Sequence, residues 1–142
     1  MKHPTQIVAY MTPFPYSIDI EAPIAEARAF MQNRQIRHLP VTEQGELIGI
    51  VTDRDIKLIL GPDFAYPDER SLKVRDACAR EPYVVEAATP IRQVAGTMAR
   101  RHLGSALVTK HGKLVGIFTA TDACRAIESL LADPQAGPPE AA

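Results

Sequence analysis

The chain has 142 residues, 46% of them hydrophobic and 23% charged, with a mean hydropathy of −0.09 and a formal net charge of −1. That is enough chain for one sizeable core, and so balanced a charge supplies no basic field for nucleic acid or anionic lipid. No long apolar stretch follows Met1-Lys2-His3-Pro4-Thr5, so neither a signal peptide nor a membrane span is expected, and the expected location is cytoplasmic.

Taken in chain order, Tyr16-Ser17-Ile18-Asp19-Ile20 alternates as a short strand. Pro23 opens a helix at its first position, where the missing N–H costs nothing, and Ile24, Ala27 and Met31 form its apolar stripe. A hairpin follows: Leu39-Pro40-Val41-Thr42 and Leu47-Ile48-Gly49-Ile50-Val51 flank Glu43-Gln44-Gly45-Glu46, whose glycine suits positive φ. The second of these strands is almost wholly apolar, which predicts burial on both faces. A helix from Asp53 to Leu60 stops at Gly61-Pro62, and a connector runs to Lys73.

The same order then returns. Tyr83 and Val84 begin a strand; Thr89 and Pro90 read as an N-cap and a first-turn proline ahead of Ile91, Val94 and Met98. Ala106–Thr109 and Leu114–Phe118 form a hairpin around Lys110-His111-Gly112-Lys113, and a helix spans Thr121 to Ala132. Residues 133–142 lack apolar periodicity and are expected to be disordered. Cys78 and Cys124 occupy unmatched positions and read as reduced thiols.

The return is a true repeat. Gly49-Ile50-Val51-Thr52-Asp53-Arg54-Asp55 reappears as Gly116-Ile117-Phe118-Thr119-Ala120-Thr121-Asp122, at a constant offset of 67 that holds without a gap from Pro15/Pro82 to Asp55/Asp122. Two copies of one supersecondary unit bury their apolar faces against each other and create two pseudo-equivalent clefts. The division expected is a first repeat over 1–61, a connector over 62–73, a second repeat over 74–132 and a tail over 133–142.

At each repeated junction a strand ending in Thr opens a helix with Asp three residues on. A helix N-terminus offers N–H groups to a phosphate, and a carboxylate accepts from vicinal hydroxyls such as those of ribose. Thr-x-x-Asp ahead of an apolar helix is equally a capping box, and the residues alone leave both readings open.

Gly-Ile-Val-Thr-Asp-Arg-Asp-Ile preceded by Ile36-Arg37-His38-Leu39-Pro40-Val41 resembles the CBS domain, named for cystathionine β-synthase, and the second copy resembles the partner that follows it. The resemblance covers roughly Ile7 to Ala132. It implies an α+β fold of tandem βαββα repeats, with two small sheets packed together, helices outside and a pseudo-twofold axis. It implies adenine nucleotides or adenosyl ligands (AMP, ADP or ATP as the class) in clefts between the copies, sensed for a regulatory purpose. Carried onto this chain, the ribose carboxylates are Asp55 and Asp122 and the phosphate-side hydroxyls Thr52 and Thr119. Backbone beside the base falls near Tyr16-Ser17 and Tyr83-Val84, and the phosphate-side basic residues are Arg37 and His38. Copy two departs from this, with Gly104-Ser105 opposite Arg37-His38, so the two clefts are expected to differ. Arg37 and His38 also read as a solvated helix exit, as do Arg100-Arg101-His102.

No P-loop, dinucleotide fingerprint or nucleophile elbow occurs, and His3, His38, His102 and His111 lack metal-ligand spacing. An enzyme is therefore not expected, no cofactor is required, and Mg²⁺ enters only as a bridge between a bound polyphosphate and Asp53. The expected partners are the small-molecule ligand, a second copy docked through the helices, and a regulated protein of unknown identity. The alternative is a ligand-free scaffold using the same helix faces, such as Ile56-Leu58-Ile59-Leu60 and Ile127-Leu130-Leu131.

Overall fold

A computed structural model of the chain describes residues 3–13, 15–61 and 70–132. Each half runs strand, helix, hairpin, helix: β2 (Ile18–Asp19), α1 (Ile24–Arg34), β3 (His38–Glu43), β4 (Glu46–Thr52) and α2 (Asp53–Leu60), then β5 (Val84–Glu86), α3 (Ile91–Arg101), β6 (Ser105–Lys110), β7 (Lys113–Thr119) and α4 (Ala120–Leu131). A short strand β1 (Thr12–Pro13) precedes them. The α+β architecture of tandem βαββα units is thus observed.

The first sheet has the order β2-β3-β4, with β2 parallel and β4 antiparallel to β3. The second has the order β1-β7-β6-β5, with β5 parallel to β6 and β1 added antiparallel to β7. Both hairpins turn through two residues of positive φ, Gln44-Gly45 (53° and 81°) and His111-Gly112 (53° and 78°), the geometry whose twist matches that of paired strands. Ile24, Ala27 and Met31 of α1 and Val94 and Met98 of α3 are buried against their own sheets. Ile50, Leu107 and Ile117, flanked by Leu47 and Leu114, form a third cluster where the sheets meet.

Several expected boundaries move. Pro23 and Pro90 are the N-cap residues of α1 and α3, one position ahead of the first turn, and Thr89 makes no cap. A proline there still loses no helical hydrogen bond, because its N–H would point out of the helix. The first strand of copy one shrinks to Ile18–Asp19, and α4 begins at Ala120 and ends at Leu131. Most of the connector, residues 62–69, and the tail, residues 133–142, lie outside the described residues.

The segments ahead of the repeats trade places. Ile7 is fully buried in the second repeat's core and Val74, its counterpart at offset 67, in the first repeat's core. The hydrogen bonds repeat at the same offset: Ile7 N–H to Thr89 O (2.7 Å) matches Val74 N–H to Ala22 O (2.8 Å), and Ile91 N–H to Thr5 O (2.7 Å) matches Ile24 N–H to Leu72 O (2.8 Å). The pairing of Thr12 with Ile117 likewise matches that of Ala79 with Ile50. This exchange explains the paired glycines. A Cβ on Gly49 would stand 2.4 Å from the Ala79 carbonyl oxygen, and one on Gly116 2.2 Å from Met11 Sδ.

Candidate functional site

Each apolar second strand of the hairpins delivers a threonine to the N-terminus of a helix. Thr52 Oγ1 accepts from Asp55 N–H at 3.1 Å while Asp55 Oδ2 accepts from Thr52 N–H at 3.0 Å. Thr119 and Asp122 repeat this at 3.5 and 2.8 Å. Both junctions are therefore capping boxes. They differ in what each carboxylate has left to offer.

Asp122 is 4% exposed and fully engaged. Its Oδ1 accepts from Thr12 Oγ1 (2.8 Å) and Arg125 Nη1 (3.1 Å), and its Oδ2 accepts from the Thr119 backbone and from Thr119 Oγ1 (3.1 Å). Asp55 has no counterpart to Thr12 or Arg125. Among the described residues its Oδ1 has no hydrogen-bond partner, and the side chain lines a cavity of about 300 Å³ between the repeats.

His38, Thr52 and Asp55 line that cavity from the first repeat, and Tyr83, Gly104 and Ser105 from the second. The His38 imidazole crosses toward Gly104, its Nε2 only 2.9 Å from where a Cβ on that residue would sit. The mismatch between Arg37-His38 and Gly104-Ser105 is thus complementary: the missing side chain of one copy admits the imidazole of the other. Burial lowers the His38 pKa; the Asp55 carboxylate opposes this, and the Arg37 charge adds to it. The imidazole is accordingly neutral at pH 7.

The remaining expected residues lie elsewhere. Arg37 is exposed and lines a separate cavity with Met31, Gln35 and Asp53. Asp53 pairs there with Lys57 at 2.8 Å, on a different cavity from Asp55. Tyr16 stacks edge-on against Phe30 at 5.2 Å, and Arg34 lies 4.3 Å above its ring. Ser17 and Val84 are exposed and neither lines the inter-repeat cavity. Glu81, which no expectation named, and His102, expected only as part of a solvated helix exit, do line it. Both sit where the copies fail to match, so a search for matched residues could not find them. Among the described residues no group of three or more His, Cys, Asp or Glu side chains is arranged to hold a metal. No helix among them is long and apolar enough to cross a membrane.

The family model for the CBS domain matches the chain twice, over residues 7–61 and 74–129. The chain belongs to the CBS domain family. This CBS pair is 38% identical over 101 residues to the uncharacterized protein YlbB of Bacillus subtilis, a match covering 70% of this chain and 66% of that one. It is 31% identical over 108 residues to inosine-5′-monophosphate dehydrogenase of Thermoplasma acidophilum, covering 75% of this chain but only 20% of the enzyme. Among solved structures it is similar to CBSX2 in complex with AMP (TM-score 0.79, 20% identity, 89% of this chain and 99% of that one). It is also similar to the CBS pair of protein MJ0100 in complex with 5′-methylthioadenosine and S-adenosyl-L-methionine (TM-score 0.78, 22% identity, 89% and 99%). At those identities the likeness is one of fold.

Proposed function

We propose that this CBS pair is a regulatory ligand-sensing module that takes one adenosine-bearing ligand per chain, in the His38–Asp55 cleft. The observation that carries the reading is the contrast between the carboxylates: Asp55 keeps an acceptor oxygen at the cavity, while Asp122 has both oxygens occupied. Asp55 Oδ1 then accepts from the ribose hydroxyls, Thr52 Oγ1 adds a donor, and Tyr83 covers the base. The ligands named for the similar CBS pairs, AMP and S-adenosyl-L-methionine, support the class. Because the cleft is walled by both repeats, occupancy draws them together, and that change of shape is the signal a partner reads.

Titration calorimetry with adenosine, AMP, ATP and S-adenosyl-L-methionine tests this. One site per chain is expected, lost in Asp55→Asn, whose amide can still cap Thr52, and kept in Thr12→Val. Absence of binding by all four at millimolar concentration overturns the reading; two equivalent sites overturn its asymmetry.

A second reading rests on Leu58, Ile127 and Leu131, which are 73%, 55% and 78% exposed on α2 and α4. Apolar side chains at such exposure on helix faces suit self-association, so these helices dock a second copy. Sedimentation at rising concentration checks it, and a monomer throughout removes it.

A further inference from the structure

The charged groups of the inter-repeat cavity narrow the ligand, on the reading that the cleft takes a nucleoside at all. Four titratable side chains of the acid and imidazole types line it: Asp55, Glu81, His38 and His102. Among the described residues no lysine or arginine does. Arg37 opens on the other cavity, and Arg101, which does not line this one, lies over the ring of Tyr83 with its Cζ 5.7 Å from the centroid. With a neutral His38, the walls present two carboxylates and no permanent cation.

The helix N-terminus does not make up the deficit. A phosphate at the start of α2 needs free backbone N–H groups. Thr52 N–H is held by Asp55 Oδ2, Asp53 N–H by Arg37 O at 2.9 Å and Asp55 N–H by Thr52 Oγ1, which leaves Arg54 alone. Asp53 and Asp55 also occupy the first turn and offset the helix dipole that would attract an anion.

We infer that the cleft selects an adenosyl ligand without phosphate, neutral or cationic at its 5′ substituent, and that Glu81 sets this preference. A phosphate would bring up to two negative charges against Asp55 and Glu81 with no fixed positive charge to meet them. A sulfonium or an ammonium group meets a carboxylate instead. Glu81 is exposed at the rim of the cavity and outside both hydrophobic cores, so its substitution reports on charge and not on folding.

Calorimetry on the full chain at pH 7.5 and low salt, with adenosine, 5′-methylthioadenosine, S-adenosyl-L-methionine, AMP and ATP, decides the matter. The three phosphate-free ligands are expected to bind at least about tenfold more tightly than AMP, and ATP more weakly still. In Glu81→Gln, S-adenosyl-L-methionine weakens about threefold to tenfold, AMP strengthens, and adenosine changes less than about twofold. AMP or ATP binding as tightly as adenosine overturns the selection and leaves the nucleoside reading standing. Binding of none of the five overturns both. Unchanged affinities for both S-adenosyl-L-methionine and AMP in Glu81→Gln overturn the role of Glu81.

Discussion

Asp55 and Asp122 occupy matched positions, cap matched helices and have opposite fates. Removing Asp55 takes away a helix cap, a loss of about 1 kcal/mol. Removing Asp122 strands Thr12, Arg125 and Thr119 around a buried gap, and the expected cost is about 2–4 kcal/mol, although the exposed Arg125 end of the ion pair contributes little of it. Urea unfolding of the two alanine variants measures the difference, and equal midpoints would contradict the closed state of Asp122. His38 makes a second prediction. Its folded pKa lies below that of the unfolded imidazole, so as pH falls the unfolded chain binds the proton first. The stability present above about pH 6.5 is therefore lost as pH drops toward the folded value. The groups facing His38 are Asp55 on α2, Glu81 and His102 across the cavity, and Arg37 beside it. Thermal melts between pH 8 and 5 should fall less steeply for His38→Gln than for the native chain.

At the scale of the element, the second strand of each hairpin carries a glycine because another segment crosses it. The two crossings are unequal. At Gly49 the obstacle is backbone, the Ala79 carbonyl, whose segment is tied to Ile50 by two hydrogen bonds of 2.9 Å. At Gly116 it is the Met11 side chain, which has other rotamers available. Gly49→Ala is expected to cost about 2–3 kcal/mol and Gly116→Ala about 1 kcal/mol. Denaturant midpoints that rank the other way would show that the Ala79 segment yields more easily than Met11.

At the scale of the whole molecule, the exchanged segments make two marginal repeats into one folding unit. Ile7 lies near the N-terminus, where substitutions are usually tolerated, yet it is fully buried in the distant repeat. Ile7→Ala is expected to cost about 2–4 kcal/mol, as a core truncation does. A fragment ending at Gly61 lacks Val74 and has no second core for its own Ile7. It should show no cooperative thermal transition by circular dichroism, whereas the full chain should show a single one.

What was legible in the sequence was local or periodic. The apolar stripes of α1 and α3, the two-residue turns and the Thr-x-x-Asp caps depend on neighbours a few residues apart, and the constant offset of 67 revealed that two such units share one fold. The single-residue shifts at Pro23, Pro90 and Ala120 arise because proline suits the N-cap and the first turn alike, and because helix ends are settled by competing hydrogen bonds. The cleft was only half legible. Thr52, Asp55, His38 and Tyr83 were found through the repeat and the resemblance; the separation of Arg37, the inclusion of Glu81 and the closure of Asp122 were not. Those facts depend on contacts such as Thr12 with Asp122, 110 residues apart, and on the exchange of Ile7 for Val74 between cores. Two matched Thr-x-x-Asp caps were visible because capping and strand pairing are short-range. Which carboxylate keeps an unbonded oxygen was not, because Thr12, which joins Arg125 and Thr119 in closing Asp122, and the second-repeat residues that complete the cavity around Asp55 come from the other half of the chain.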